Sequence, residues 1–101
     1  MNYFLSKMPY ITTDEETEAE AQYYLAIAYQ SGTEGIPYNP VEAERLLRAS
    51  IENGNMKACT TLARQYYHGA NVKQDYKESA ALYHMAAVRG NREAQFELGN
   101  L

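Results

Sequence analysis

The stretch Ala58-Cys59-Thr60-Thr61-Leu62-Ala63-Arg64-Gln65-Tyr66-Tyr67-His68-Gly69 decides the fold, because the chain carries it more than once. Earlier, Ala21-Gln22-Tyr23-Tyr24-Leu25-Ala26-Ile27-Ala28-Tyr29-Gln30-Ser31-Gly32 sets Ala, Leu-Ala, Tyr and Gly at the same intervals. Ala94-Gln95-Phe96-Glu97-Leu98-Gly99 then begins the phrase a third time, after shifts of 37 and 36 residues. A fixed period of this length marks supersecondary units that stack on one another, each too small to bury its apolar face alone. Stacked units offer long surfaces for binding.

Working outward from the phrase, each repeat reads as two helices. The first of repeat 1 opens at Thr13-Asp14-Glu15-Glu16, a capping-box spacing, and runs over about 14–30. Asp14, Glu15, Glu16, Glu18 and Glu20 crowd its opening turns, where the helix dipole favours negative charge. They read as a solvated helix start in preference to an acidic docking strip. The second helix, about 40–53, opens at Asn39-Pro40-Val41-Glu42, with Asn39 as cap, Pro40 at the first helical position and Glu42 placed to reach back to the cap. Gly54 supplies the left-handed residue that ends it. Repeat 2 follows the same grammar over about 56–68 and 76–89, with Asp75-Tyr76-Lys77-Glu78 as the box and Gly90 as the stop. Asn55 and Asn91 are placed to cap the helices that follow, the last starting near Arg92. In the loops, Gly35 and Asn71 suit a positive φ, and Ile36 and Val72 are apolar plugs for each loop.

The expected organisation is an N-terminal capping segment over 1–12 and a repeat domain over 13–101. Within it, repeat 1 covers about 19–55, repeat 2 about 56–91 and a partial third repeat 92–101. At 101 residues with a net charge of −4, the chain has no basic footprint for nucleic acid and is repelled by anionic membrane surfaces. No run approaches the ~18 apolar residues of a membrane span, and the N-terminus has no signal-peptide pattern. The single cysteine, Cys59, cannot form an intramolecular disulfide, which fits a reducing compartment. Cytoplasmic is the expected location.

The repeated residues resemble the Sel-one-like repeat family, a relative of the tetratricopeptide repeat. That pattern is an Ala, Leu-Gly, Tyr, a Gly-x-Gly-Val loop, an Asp and a closing Ala-Ala-x-x-Gly. Repeat 2 carries it as Ala58, Leu62-Ala63, Tyr66, Gly69-Ala70-Asn71-Val72, Asp75 and Ala86-Ala87-Val88-Arg89-Gly90. The departures exchange small for small or cap for cap: Ala26 and Ala63 for the glycine that Gly99 keeps, Asn71 for the second loop glycine, Asn39 for the aspartate. In repeat 1, Ser50-Ile51 stands in for Ala-Ala. The tetratricopeptide period of 34 fits less well. Some secreted members staple each repeat with a disulfide, and the lone Cys59 sets this chain outside that branch. The resemblance implies an all-α fold, an α–α superhelix built as a right-handed solenoid of helix-turn-helix repeats. It implies scaffolding of protein complexes and brings no catalytic residue with it.

On a helical wheel, the motif residues Ala21, Leu25 and Tyr29, with Ala58, Leu62 and Tyr66, fall on one side and are the expected core. The other side collects Tyr23, Tyr24, Ile27 and Gln30 in repeat 1. In repeat 2 it collects Thr60, Thr61, Arg64, Tyr67 and His68, and in the third phrase Phe96, Glu97 and Asn100. First helices line the concave wall of helix-pair solenoids, so these positions form one strip, rich in the Tyr and Arg of interface hot spots. For Tyr23, Tyr24 and Ile27 two readings stand: a groove for a partner, or a seat for the apolar residues of 1–12. The second helices are expected to bury Ala43, Leu46, Leu47, Ser50 and Ile51, then Ser79, Leu82, Tyr83, Ala86 and Ala87. Their outer faces carry mixed charge, including the i,i+4 pair Glu44 and Arg48.

No catalytic constellation emerges. His68 and His84 lie on different helices without ligand-spaced partners, Cys59 sits beside a core alanine, and the loop glycines lack the strand and the Lys of a phosphate loop. No metal or cofactor is implied. The reading is a non-enzymatic protein–protein interaction module (adaptor, regulator or inhibitor) that binds a peptide or partner protein on its concave face. The alternatives are a self-assembling structural block and a small acidic immunity protein against a toxin. Phe96, Leu98 and Leu101 need cover, which points to self-association through a solenoid end or to a longer array.

Overall fold

The computed structural model describes residues 15–100, and the capping segment, the Thr13 cap and Leu101 lie outside them. Five helices follow in order: α1 (Glu15–Ser31), α2 (Pro40–Glu52), α3 (Met56–His68), α4 (Tyr76–Val88) and α5 (Arg92–Asn100). No strand occurs among the described residues. α1 packs on α2 and α3 on α4 as antiparallel hairpins, α2 leads into α3 across the repeat boundary, and α5 lies on α4. This successive stacking is an α–α solenoid.

The helix boundaries follow the local chemistry. Asn39 Oδ1 accepts from the Glu42 amide at 3.1 Å, Asn55 Oδ1 from Lys57 at 2.8 Å, Asp75 Oδ1 from Lys77 at 3.0 Å and Glu78 at 3.1 Å, and Asn91 Oδ1 from Ala94 at 2.9 Å. These bonds satisfy amides that a helix start leaves without partners. The expected reciprocal half of the box is absent in α2 and α4. Glu42 turns to Arg45 instead, and Glu78 to Arg48 at 3.0 Å. A guanidinium within reach gives a charge-assisted bond that outcompetes a return to the cap amide. Gly54 and Gly90 close α2 and α4 at φ +99° and +88°. Each inter-helix loop is drawn in by an equivalent bond, Asn39 N–H to Tyr29 O and Asp75 N–H to Tyr66 O, both 2.9 Å.

The core forms where small residues let backbones approach. Ala26, Ala43, Ala58, Ala63, Ala86 and Ala94 are fully buried, with Leu47 and Leu62 filling the space between helices. A buried leucine stabilises by about 1.5–3 kcal/mol. Two serines stitch the hairpins from opposite ends: Ser50 Oγ donates to Ala19 O at 2.6 Å and Ser79 Oγ to Ala63 O at 2.7 Å. Cys59 is buried, its thiol donating to Leu82 O at 3.0 Å, and burial pushes its pKa up. The second helices bury the expected set, with Ala87 half-buried. Val72 packs partly on the core.

The expected core of repeat 1 needs correction. Tyr29 and Tyr66 are only partly buried, and the first repeat departs further: Ala21 is exposed and Leu25 is 40% exposed, while their counterparts Ala58 and Leu62 are at 0%. The motif's Ala and Leu face the preceding repeat. For α3 that is the α1–α2 hairpin; over α1 no described element lies.

Candidate partner-binding wall

The candidate site is built on the two full first helices, α1 and α3. A reciprocal amide pair joins them: Gln30 Nε2 donates to Gln65 Oε1 and Gln65 Nε2 to Gln30 Oε1, both at 2.9 Å. Gln30, expected on the open strip, therefore ties the wall together. The second tie is Lys57, whose ammonium from the first turn of α3 lies 5.4 Å from the Tyr23 ring and 5.6 Å from the Tyr24 ring of α1. Those rings meet edge to face at 5.3 Å. A cation over aromatic faces gains about 0.5–1 kcal/mol at an exposed site and is held in place by it.

The residues expected on the strip separate into three groups. Tyr24 (57% exposed), Tyr67 (37%), Arg64 and His68 are open to solvent. Tyr23 and Ile27 are half-buried. Thr60 and Thr61 are buried, at 2% and 8%, with the Thr60 hydroxyl donating to Lys57 O at 3.1 Å. They are not wall residues, which corrects the sequence reading. The reason is packing: every residue from Ala58 to Ala63 is buried, and six helical positions cover the whole circumference. A wheel drawn for one helix pair gives α3 a free half; a stacked helix has neighbours on several sides. Only Lys57, then Arg64, Tyr67 and His68, emerge.

Lys57 is the wall residue that the sequence reading missed. Its signal was present: it stands seven residues before Arg64 and eleven before His68, a spacing that returns to one helical face. At the far end of α3 the Tyr67 ring meets His68 and Tyr76, each with centroids 5.1 Å apart, and Gln74 Nε2 donates to Tyr67 O at 2.8 Å. Nearby, the Tyr38 hydroxyl of the first loop donates to Asn71 Oδ1 of the second at 3.1 Å.

The other wall is chemically different. Arg48 donates to Glu44 at 3.2 Å, to Glu78 at 3.0 Å and to the Tyr66 hydroxyl at 3.0 Å, while that hydroxyl donates to Glu44. One network thus joins α2, α3 and α4 and locks repeat 1 to repeat 2. Burial, and then the Glu44 carboxylate, push the Tyr66 pKa up. Glu44 and Glu78 are engaged in this way, whereas the 13 residues of α3 contain Lys57, Arg64 and His68 and no acid. Among the described residues no cluster of three His, Cys, Asp or Glu could hold a metal ion, and no helix is long and apolar enough to cross a membrane.

The Sel1 repeat family, which the sequence resembles, matches residues 19–55 and 57–91. A Sel1 repeat protein from Oxalobacter formigenes is 36% identical, with a TM-score of 0.73 over 82% of this chain and 62% of its own. The protective antigen c5321, present in uropathogenic Escherichia coli strains and displaying an SLR fold, is 34% identical, with a TM-score of 0.74 over 81% of this chain and 17% of its own. The chain thus spans less than two thirds of either. No curated protein matches in sequence. The chain belongs to the Sel1 repeat family.

Proposed function

We propose that this Sel1 repeat chain is a non-enzymatic interaction module, an adaptor, regulator or inhibitor, that receives a peptide or a partner protein on the wall formed by α1 and α3. The observation that carries this reading is the contrast along α3. Its middle is buried all round, while Lys57, Arg64, Tyr67 and His68 stand out from it beside Tyr24 of α1. Rigid helices presenting exposed Tyr and Arg supply contact area at low ordering cost, the composition of interface hot spots. The Sel1 repeat family is generally non-catalytic and generally mediates protein–protein interaction, which supports the same reading. A cytoplasmic setting suits a chain whose only thiol is buried and unpaired.

The test is a partner captured from native cells, identified, and titrated against variants. Tyr24→Ala and Tyr67→Ala weaken it by about tenfold or more with the helical melt nearly unchanged, while the outer-wall control Arg45→Ala does not. Equal affinity for all three would move the site off this wall. A second reading, self-association through the end of the solenoid, is favoured by Ala21, Tyr24 and Leu25 lying exposed on α1. It predicts a sedimentation coefficient that rises with concentration and falls back in Leu25→Glu.

A further inference from the structure

Within the wall, α3 differs in charge from the rest of the chain. The net charge is −4, yet α3 is a helix without a single carboxylate, carrying Lys57, Arg64 and His68. All three are exposed. Glu42 and Glu44 on α2 and Glu78 on α4 pair with Arg45 and Arg48. The Lys57 ammonium lies over the Tyr23 and Tyr24 rings, and among the described residues no carboxylate forms a salt bridge with it.

We infer that the occupant of the wall is an acidic linear segment of a partner protein, its carboxylates meeting Lys57 and Arg64 and an adjacent apolar side chain covering the Tyr24 ring. This rests on the wall being the binding surface. Seven residues of helix separate the two cations by about 10 Å along the axis. Carboxylates three residues apart in a polyproline-II segment share one face and lie about 9 Å apart, so one short stretch of chain reaches both. Arg64 brings a planar fork that suits a carboxylate, and Lys57 a compact point charge. The charge pattern also sets the orientation. Glu18 and Glu20 are exposed on the opening turns of α1, about one turn before Tyr24, and repel acids there. The occupant therefore places its acids over α3 and its apolar or basic residues over α1. Because the whole chain is acidic, long-range steering does not favour this partner, and selection rests on contact at the wall.

The experiment is selection of random 12-residue peptides displayed on phage against the immobilised full chain, followed by titration of the synthesised winners. Winners carry at least two Asp or Glu beside an aromatic or aliphatic residue. Lys57→Glu/Arg64→Glu weakens them by about tenfold or more and selects basic peptides in their place. Lys57→Gln/Arg64→Gln serves where the reversal disturbs the helical circular dichroism, and weakens the same winners. Winners that are neutral or basic yet weakened by Tyr24→Ala overturn the acidic occupant and leave the wall standing. Winners indifferent to every wall variant, or no enrichment over a bare surface, overturn both.

Discussion

Leu25 and Leu62 occupy the same position of the repeated phrase, and truncating each separates the role of the motif from the role of its surroundings. Leu62 is at 0% exposure and Leu25 at 40%. Leu62→Ala removes buried carbons and leaves a cavity walled by helices on several sides, which costs about 3–4 kcal/mol. Leu25→Ala removes carbons that are little more than half covered and leaves no enclosed void, which costs about 1 kcal/mol. The gap of about 2–3 kcal/mol corresponds to about 10–20 °C in melting temperature for a domain of this size. Urea titrations of both variants and the parent, followed by far-UV circular dichroism with a common slope, measure it. Equal losses at the two positions would refute the reasoning, since they would require the outward side of α1 to be as well covered as that of α3.

Ser79→Ala removes the stitch to Ala63 O and costs about 1 kcal/mol in the same titration. Tyr66→Phe changes the response to alkali. The folded chain holds the Tyr66 proton more tightly than the unfolded chain does, so its contribution is complete below about pH 10 and is lost as pH rises above that. The phenylalanine variant lacks that part of the decline, and a pH series of melts reads the difference. Asn71 has φ +67°. Asn71→Gly keeps that backbone and loses only the Tyr38 contact, while Asn71→Val forces a β-branched residue into it at a cost of about 1–2 kcal/mol or more, seen as a lower melting temperature.

The fold was legible because each level of the sequence agrees with the next. Asn39, Asn55, Asp75 and Asn91 cap where their chemistry puts them, and the second helices bury the residues their periodicity selects. The wall was legible only in part. The exposure of Arg64, Tyr67 and His68 follows from spacing alone. Thr60 and Thr61 are hidden by helices that a single-helix wheel does not include. The place of Lys57 depends on Tyr23 and Tyr24, which a neighbouring repeat supplies. Glu78 shows the same limit: a capping box is a local pattern, and Arg48 of another helix redirects the acid. Glu42 turns to Arg45, three residues on in its own helix. What the letters lack for Thr60, Thr61, Lys57 and Glu78 is the identity of the neighbour across a helix–helix contact.

The central claim is that α1 and α3 together present the surface a partner reads. Titrating the isotopically labelled chain with a selected peptide and following backbone amide shifts by nuclear magnetic resonance tests it most directly. The largest shifts are expected at Tyr24, Lys57, Arg64, Tyr67 and His68. Shifts concentrated on the outer residues of α2 and α4, around Arg45, Glu52, Lys77 and His84, would contradict it.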